Sequence, residues 1–275
     1  MAKQIGIALA GGGARGAYQI GAWKALNEYG VLEKVKHFSG ASVGSLNAVL
    51  YAMGDYELAY DVWMKRDNTD LFHTEDDIFK RLLKEKLDFF NKGIFNIEKL
   101  KTMIEETVDF EKIKDKEVYV ATTRLGDENA SFFDLIKTNY KHFFKSDYQV
   151  DFYDINKIEA AKRNKVLLAS CAIPVAFKPV QIDDKRYYDG GILDNAPYEP
   201  LIKAGCDVII VIDLYTFSMM RITREKRAKL LVCYPKKSLR GMLDFKQEYL
   251  ERRFNFGYHD MTKLLRENLE DILEE

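Results

Sequence analysis

Cysteine and histidine are both scarce in this 275-residue chain, and each scarcity narrows its chemistry. The three cysteines, Cys171, Cys206 and Cys233, are odd in number and widely spread. They suit neither a disulfide framework nor a C-x-x-C metal site, and such usage fits a reducing compartment. No stretch approaches the roughly 18 uncharged apolar residues of a membrane-spanning helix. The N-terminus enters an apolar, strand-like run directly, without the h-region and small-residue cleavage site of a signal peptide. A cytoplasmic protein is therefore expected. Charge of one sign is also missing: 42 basic residues stand against 43 acidic ones, a net charge of −1, so no global field would hold nucleic acid. Hydrophobic residues make up 47% of the chain, enough for a full core and too many for global disorder. With no repeat, low-complexity tract or linker, a single domain over residues 1–275 is expected.

The opening of the chain sets the fold class. Ile5 to Ala10 is nearly all apolar, as in a strand buried on both faces of a parallel sheet. Three glycines break it, and Ala17, Ile20, Gly21, Ala25 and Leu26 then share one helical face, with Gly30 as the stop. A second strand follows in His37-Phe38-Ser39, a turn, and a helix from Val43 to Met53. This β-α-β-α order predicts an α/β fold with a mostly parallel sheet covered by helices. Further on, helices are expected over 55–63, 97–108, 156–169 and 197–204. Strands are expected over 118–122, 130–136, 175–182 and 207–214. The tail from Leu239 to Glu275 reads as one or two amphipathic helices.

Gly40-Ala41-Ser42-Val43-Gly44 is a G-x-S-x-G at the second strand-to-helix junction. Glycines on either side let a serine occupy a sharp turn, and the following helix aims its first N–H groups and positive dipole end at whatever that serine attacks. Gly11-Gly12-Gly13-Ala14-Arg15-Gly16 matches G-x-G-x-x-G at the first junction. A dinucleotide site would need an acidic residue near the end of the second strand, where His37 to Gly40 stand instead. A P-loop would need Gly-Lys-Ser/Thr, absent after Gly16. An oxyanion hole remains open, with unshielded glycine amides and Arg15 adding charge or bracing the loop. So does a non-enzymatic module whose glycine-rich loop binds an anion such as a nucleotide phosphate.

A nucleophilic serine needs a base, and the four histidines offer little. His37 lies in the strand leading to the turn, and His73 and His142 lie in charged, motif-free surroundings. His259 follows Ser42 and Asp189 in the Ser…Asp…His order of α/β-hydrolases, yet has no strand before it. Asp189 ends a strand-like run before Gly190 and Gly191, and a partly buried carboxylate can take a serine proton directly.

GGGARG, GASVG and DGG, in this order and spacing, with Ser170-Cys171-Ala172-Ile173-Pro174 as an S-x-x-x-P before DGG, resemble the patatin-like phospholipase family over residues 5 to 215. The resemblance implies a three-layer α/β/α core and hydrolysis of lipid acyl esters without metal or cofactor. It implies a Ser–Asp dyad, with Ser42 as nucleophile, Asp189 as base, and the amides of Gly11, Gly12 and Gly13, with Arg15, as the oxyanion hole. Gly16, Gly40, Gly44, Gly190 and Gly191 support those motifs. The substrate would be a lipid or acyl ester. The rival is a Ser–Asp–His esterase using His259.

Around this core, the charged segment 65–98 is placed for a lid, and Phe89-Phe90, Phe132-Phe133, Phe143-Phe144 and Met219-Met220 offer an apolar groove. Lys236, Lys237, Arg240, Lys246, Arg252 and Arg253 alternate with Leu239, Leu243, Phe245 and Leu250. A basic amphipathic helix of this kind in a C-terminal extension, residues 236–275, suits peripheral contact with an anionic membrane face.

Overall fold

The computed structural model of the chain describes residues 3–65, 97–126, 148–174, 177–216 and 227–273. The expected lid segment over 66–96, the strand over 130–136, His73, His142 and the paired aromatics lie outside these residues.

The centre is an eight-stranded sheet. Strands β1 (Ile5–Leu9), β2 (His37–Ala41) and β3 (Glu117–Arg124) run parallel, and β7 (Val208–Ile212) and β8 (Lys229–Cys233) extend the parallel set from the other edge of β1. Strands β4 (Gln149–Asp154), β5 (Val180–Ile182) and β6 (Lys185–Asp189) form an antiparallel margin around β3. Every residue of β1 and of β7 is buried. Because successive side chains of a strand face opposite sides, complete burial means that helices cover both faces, the three-layer arrangement.

Helix α1 (Ala17–Glu28) follows a 3-10 turn at Gly13–Gly16, and α2 (Val43–Met53) follows β2. Helix α3 (Tyr56–Met64) starts where Asp55 accepts a hydrogen bond from the Leu58 amide at 3.1 Å, an N-cap the expected 55–63 boundary contains. Helices α4 (Ile97–Thr107), α5 (Ala160–Ser170), α6 (Glu199–Lys203) and α7 (Gln247–Leu273) complete the described set. No helix among the described residues is long and apolar enough to cross a membrane.

Four expectations need correction. Helix α5 begins at Ala160 rather than Asn156, whose side chain instead donates to the carbonyls of Ile113 and Lys116, both at 2.7 Å, and so fixes a turn. The strand expected over 175–182 is confined to β5 within the described residues. Strands β4 and β8 were not expected, since each is short and draws its stability from pairing with β3 or β7. Finally, the tail is helical only from Gln247, and its apolar residues Leu250, Met261, Leu265 and Ile272 are buried in the protein. Of the expected basic stripe, Lys236, Lys237, Arg240, Lys246 and Arg252 are exposed, whereas Arg253 points inward at 1% exposure.

The sheet register sets the site. A strand has two edges. Strands β2 and β4 both pair with β3 at residues 119–121, so they lie on opposite edges; β4 and β6 both pair with it at 122–124 and must do likewise. Strand β6 therefore continues the edge that β2 leaves. Running antiparallel, it ends with Asp189 opposite Thr122, next to where Ala41 sits opposite Ala121. The end of β6 thus meets the turn that follows β2.

Candidate active site

Ser42 occupies that turn with φ 54° and ψ −134°. For a residue with a Cβ this region costs on the order of 1–3 kcal/mol, and it persists only when neighbours over-determine it. Here they do. The Ser42 N–H donates to Ser170 Oγ at 3.0 Å, and that hydroxyl donates onward to the Ala121 carbonyl at 2.7 Å. The Ser42 carbonyl accepts from the Ser45 hydroxyl at 2.6 Å and from the Ser45 amide at 2.8 Å. Gly44 is required by close approach: a Cβ there would lie 2.2 Å from the Leu9 carbonyl oxygen. Ser170, the serine of the S-x-x-x-P segment, therefore acts as a brace for the turn.

Asp189 is 5% exposed and Ser42 7% exposed. The Ser42 hydroxyl lies beside the Asp189 carboxyl, and the Gly191 amide donates to Asp189 Oδ1 at 2.7 Å. Burial pushes the carboxyl up to about 7, and Ser42 and the Gly191 amide oppose that rise. The Thr123 hydroxyl holds the Asp189 carbonyl at 2.8 Å. A buried carboxyl that titrates near neutrality is suited to accept and return a proton at physiological pH.

The glycine-rich loop lies against this pair, though it does not offer all the groups expected. The Gly11 amide is already spent on the Asn195 carbonyl at 3.0 Å. Asn195 Nδ2 returns a bond to the Gly11 carbonyl at 3.2 Å. Arg15 does not face the serine: its Nε donates to the Arg240 carbonyl at 2.8 Å, and its guanidinium lies 5.1 Å from the centre of the Tyr215 ring. Gly11 and Arg15 therefore leave the expected oxyanion set and serve to hold the loop. The amides of Gly12 and Gly13 donate to no group among the described residues. Their directions are nonetheless constrained. In a trans peptide, C=O and N–H point opposite ways, so Asn195 on the Gly11 carbonyl orients the Gly12 N–H. The Arg15 amide on the Gly12 carbonyl, 3.2 Å, orients that of Gly13.

A buried polar chain anchors both ends of the loop. Gln19 Nε2 donates to the Ala10 carbonyl at 2.8 Å, and Asn47 Nδ2 donates to Gln19 Oε1 at 2.7 Å and the Gly16 carbonyl at 3.3 Å. Trp63 Nε1 closes the chain on Asn47 Oδ1 at 2.9 Å. Such a network, satisfied at each buried member, rigidifies what it connects.

Ser42 and Gly13 open into a mostly apolar cavity of about 80 Å³, walled by Leu46, Leu50, Trp63, Met103, Ile104 and Phe245 among others. The histidines stay away from it where they are described. His37 Nδ1 meets Glu117 Oε2 at 3.3 Å at the start of β2, the opposite end of the strand from Ser42. His259 is exposed on α7, its ring 5.5 Å from that of Tyr258, whose hydroxyl donates to Glu28 at the far end of α1. The triad with His259 is overturned by this placement. Among the described residues no group of three or more His, Cys, Asp or Glu is arranged to hold a metal ion. The three cysteines are buried thiols, and burial raises Cys206 and Cys233 to about 12.

A family model described as patatin-like phospholipase matches residues 7–202. The chain belongs to this family. An uncharacterised NTE family protein of Mycobacterium tuberculosis is 25% identical to this patatin-like chain over 216 residues, 77% of the chain and 49% of the relative. Lysophospholipase NTE1 of Cryptococcus neoformans is 27% identical over 221 residues, 77% of the chain and 11% of the fungal protein. The patatin-like chain thus spans about half the length of the first relative and about a tenth of the second. Among solved structures, VipD of Legionella pneumophila has a TM-score of 0.55 at 17% identity, covering 96% of this chain and 67% of VipD. Human GIVD cytosolic phospholipase A2 has a TM-score of 0.55 at 11% identity, covering 98% of this chain and 60% of the human one. At those identities the likeness is one of fold.

Asn195 was missed in the sequence. An asparagine six residues after a D-G-G aspartate looks like an ordinary loop residue, and its two bonds to Gly11 cross 184 positions.

Proposed function

We propose that this patatin-like chain is a serine hydrolase of lipid carboxylic esters, with Ser42 as nucleophile and Asp189 as general base. The observation that carries the reading is the placement of a strained, buried serine beside a buried carboxyl raised to about 7, at the mouth of an apolar cavity. Ser42 Oγ attacks the ester carbonyl carbon while its proton passes to Asp189, and the carbonyl electron pair becomes an oxyanion facing the Gly12 and Gly13 amides and the N-terminal end of α2. The oxyanion collapses, the ester C–O bond breaks, and the leaving alkoxide takes the proton from Asp189. Water then attacks the acyl-enzyme, gives its proton to Asp189, and the second collapse releases the carboxylic acid and returns the proton to Ser42. No metal or cofactor enters this scheme.

The cavity suits an acyl chain, because its walls offer dispersion contacts and few polar partners. The names of the relatives, a lysophospholipase and a cytosolic phospholipase A2, favour a phospholipid or lysophospholipid over a short soluble ester. The test is labelling with a fluorophosphonate followed by a lipid-class hydrolysis screen. Wild type and His259→Ala should be labelled at Ser42 and release fatty acid, and Ser42→Ala should do neither. An unlabelled, inactive wild-type protein that binds a nucleotide phosphate would overturn the reading in favour of an anion-binding module.

A further inference from the structure

Arg253 lies on α7, beyond the residues matched by the family model, and is nevertheless tied to the glycine-rich loop. The crossing of α7 with α1 brings it there. A Cβ on Gly257 would lie 1.8 Å from the Tyr18 carbonyl oxygen, and one on Gly21 would lie 1.9 Å from that of Phe254. Only glycines permit backbones this close, and Arg253 sits one turn before Gly257. Its side chain is enclosed at 1% exposure.

The guanidinium uses its fork on four backbone carbonyls. Nε donates to Leu239 at 2.9 Å, Nη1 to Asp244 at 2.6 Å and to Ala14 at 3.2 Å, and Nη2 to Gly241 at 2.8 Å. Three of these belong to the strap 239–244 and the fourth to the glycine-rich loop. The strap bonds the loop in return: the Met242 carbonyl accepts from the Ala14 amide at 2.7 Å. Ala14 is therefore held at both its N–H and its C=O. Its neighbour Arg15 supplies the amide that orients the Gly13 N–H, and Arg15 Nε is itself bound to the strap at the Arg240 carbonyl. The strap also places Leu243, and Phe245 just after it, in the cavity wall beside Ser42.

We propose that Arg253 is a positioning residue for the oxyanion hole: through Ala14 and the strap 239–244 it holds the Gly13 amide in the direction that receives the developing negative charge. The proposal rests on the serine-hydrolase reading of the site. Lysine cannot replace the fork, since an ammonium is a point donor without a planar array. Arg253→Lys keeps the buried positive charge and loses the simultaneous grip on loop and strap.

The test compares wild type, Ser42→Ala and Arg253→Lys with p-nitrophenyl palmitate as substrate. Two further probes are a palmityl trifluoromethyl ketone, which forms a tetrahedral oxyanion adduct with a serine, and a hexadecyl ether, which binds without reacting. Arg253→Lys should lose about 10²-fold in kcat, the effect of a displacement of about 1 Å at a reacting centre. Affinity for the ketone should fall in parallel and affinity for the ether should hold, because the oxyanion contact exists only in the transition state and its analogues. A folded Arg253→Lys with wild-type kcat and ketone affinity would overturn the proposal, as would equal losses for ketone and ether. If Arg253→Lys does not fold, Arg15→Met removes the other side-chain tie between loop and strap. It should lower kcat and ketone affinity together with ether binding unchanged, and a wild-type kcat there would overturn the proposal. Turnover that persists in Ser42→Ala would instead mean that the reading of the site has failed.

Discussion

Replacing Asp189 with asparagine should make the protein more stable and inactive at once. Burial raises the carboxyl from 3.8 to about 7, and about 1.4 kcal/mol for each pH unit makes this worth roughly 4 kcal/mol. The sign follows from proton counting. Between pH 3.8 and about 7 the unfolded chain has lost this proton while the folded protein keeps it, so stability falls as pH rises through that window and stays lowered above it. Asparagine is neutral throughout and its Oδ1 can still accept from Gly191. The gain of Asp189→Asn over wild type should be close to nil near pH 4, grow toward neutrality, and level off above pH 7 at up to ~4 kcal/mol. Urea unfolding of both proteins at a series of pH values between roughly 5 and 8.5 measures this, and other titrating groups cancel in the difference. In parallel, wild-type kcat/KM should rise with pH to a midpoint near 7, because only the carboxylate can accept the serine proton, and the variant should have no ester turnover. A stability difference that stays flat across this range would refute the reasoning, as would wild-type activity as high at pH 5.5 as at pH 8. The trade is expected of a site that keeps a buried ionisable group for its chemistry.

Two further outcomes follow from the same geometry. Asn195→Ala frees the Gly11 carbonyl that sets the direction of the Gly12 amide, so steady-state kinetics should show kcat reduced by up to about 10²-fold with KM little changed. Met103→Trp fills part of the apolar cavity, and a series of p-nitrophenyl esters of increasing chain length should show the ratio of kcat/KM for short over long chains rise by roughly tenfold, the scale of a poorly fitted hydrophobic pocket.

The placement of Ser42 and Asp189 shows how far local pattern carries. The helix Val43–Met53 and the strands around it are local features, readable because burial on both faces of a parallel sheet leaves near-continuous apolar runs. The turn at Ser42 is only partly local: a Cβ on Gly40 would meet the Gly44 carbonyl a few residues on, whereas one on Gly44 would meet the carbonyls of Leu9 and Ala10 at the end of β1. Short β4 and β8 were missed for the opposite reason: β4 is six residues of mixed polarity and β8 only five residues, and such pieces become strands when a neighbour offers its edge. Arg253 was misread because a basic residue between apolar ones predicts an exposed stripe, whereas four carbonyls from distant segments convert it into an interior clamp.

The sequence by itself determined the class of fold, because burial on both faces of a parallel sheet leaves apolar runs, and its glycine-rich motifs carried the resemblance that singled out Ser42 and Asp189; the pairing of β2 and β6 with β3 is what brings those two side chains together. Only the tertiary structure decided which amides are free to receive negative charge, that His259 faces solvent, that Ser170 and Asn195 brace the turn and the loop, and that α7 reaches back to the site. The braces from Ser170 and Asn195 and the reach of α7 are settled by hydrogen-bonding groups that find partners across more than a hundred residues of chain, and whether a backbone N–H is spent or unspent leaves no trace in the local residue pattern.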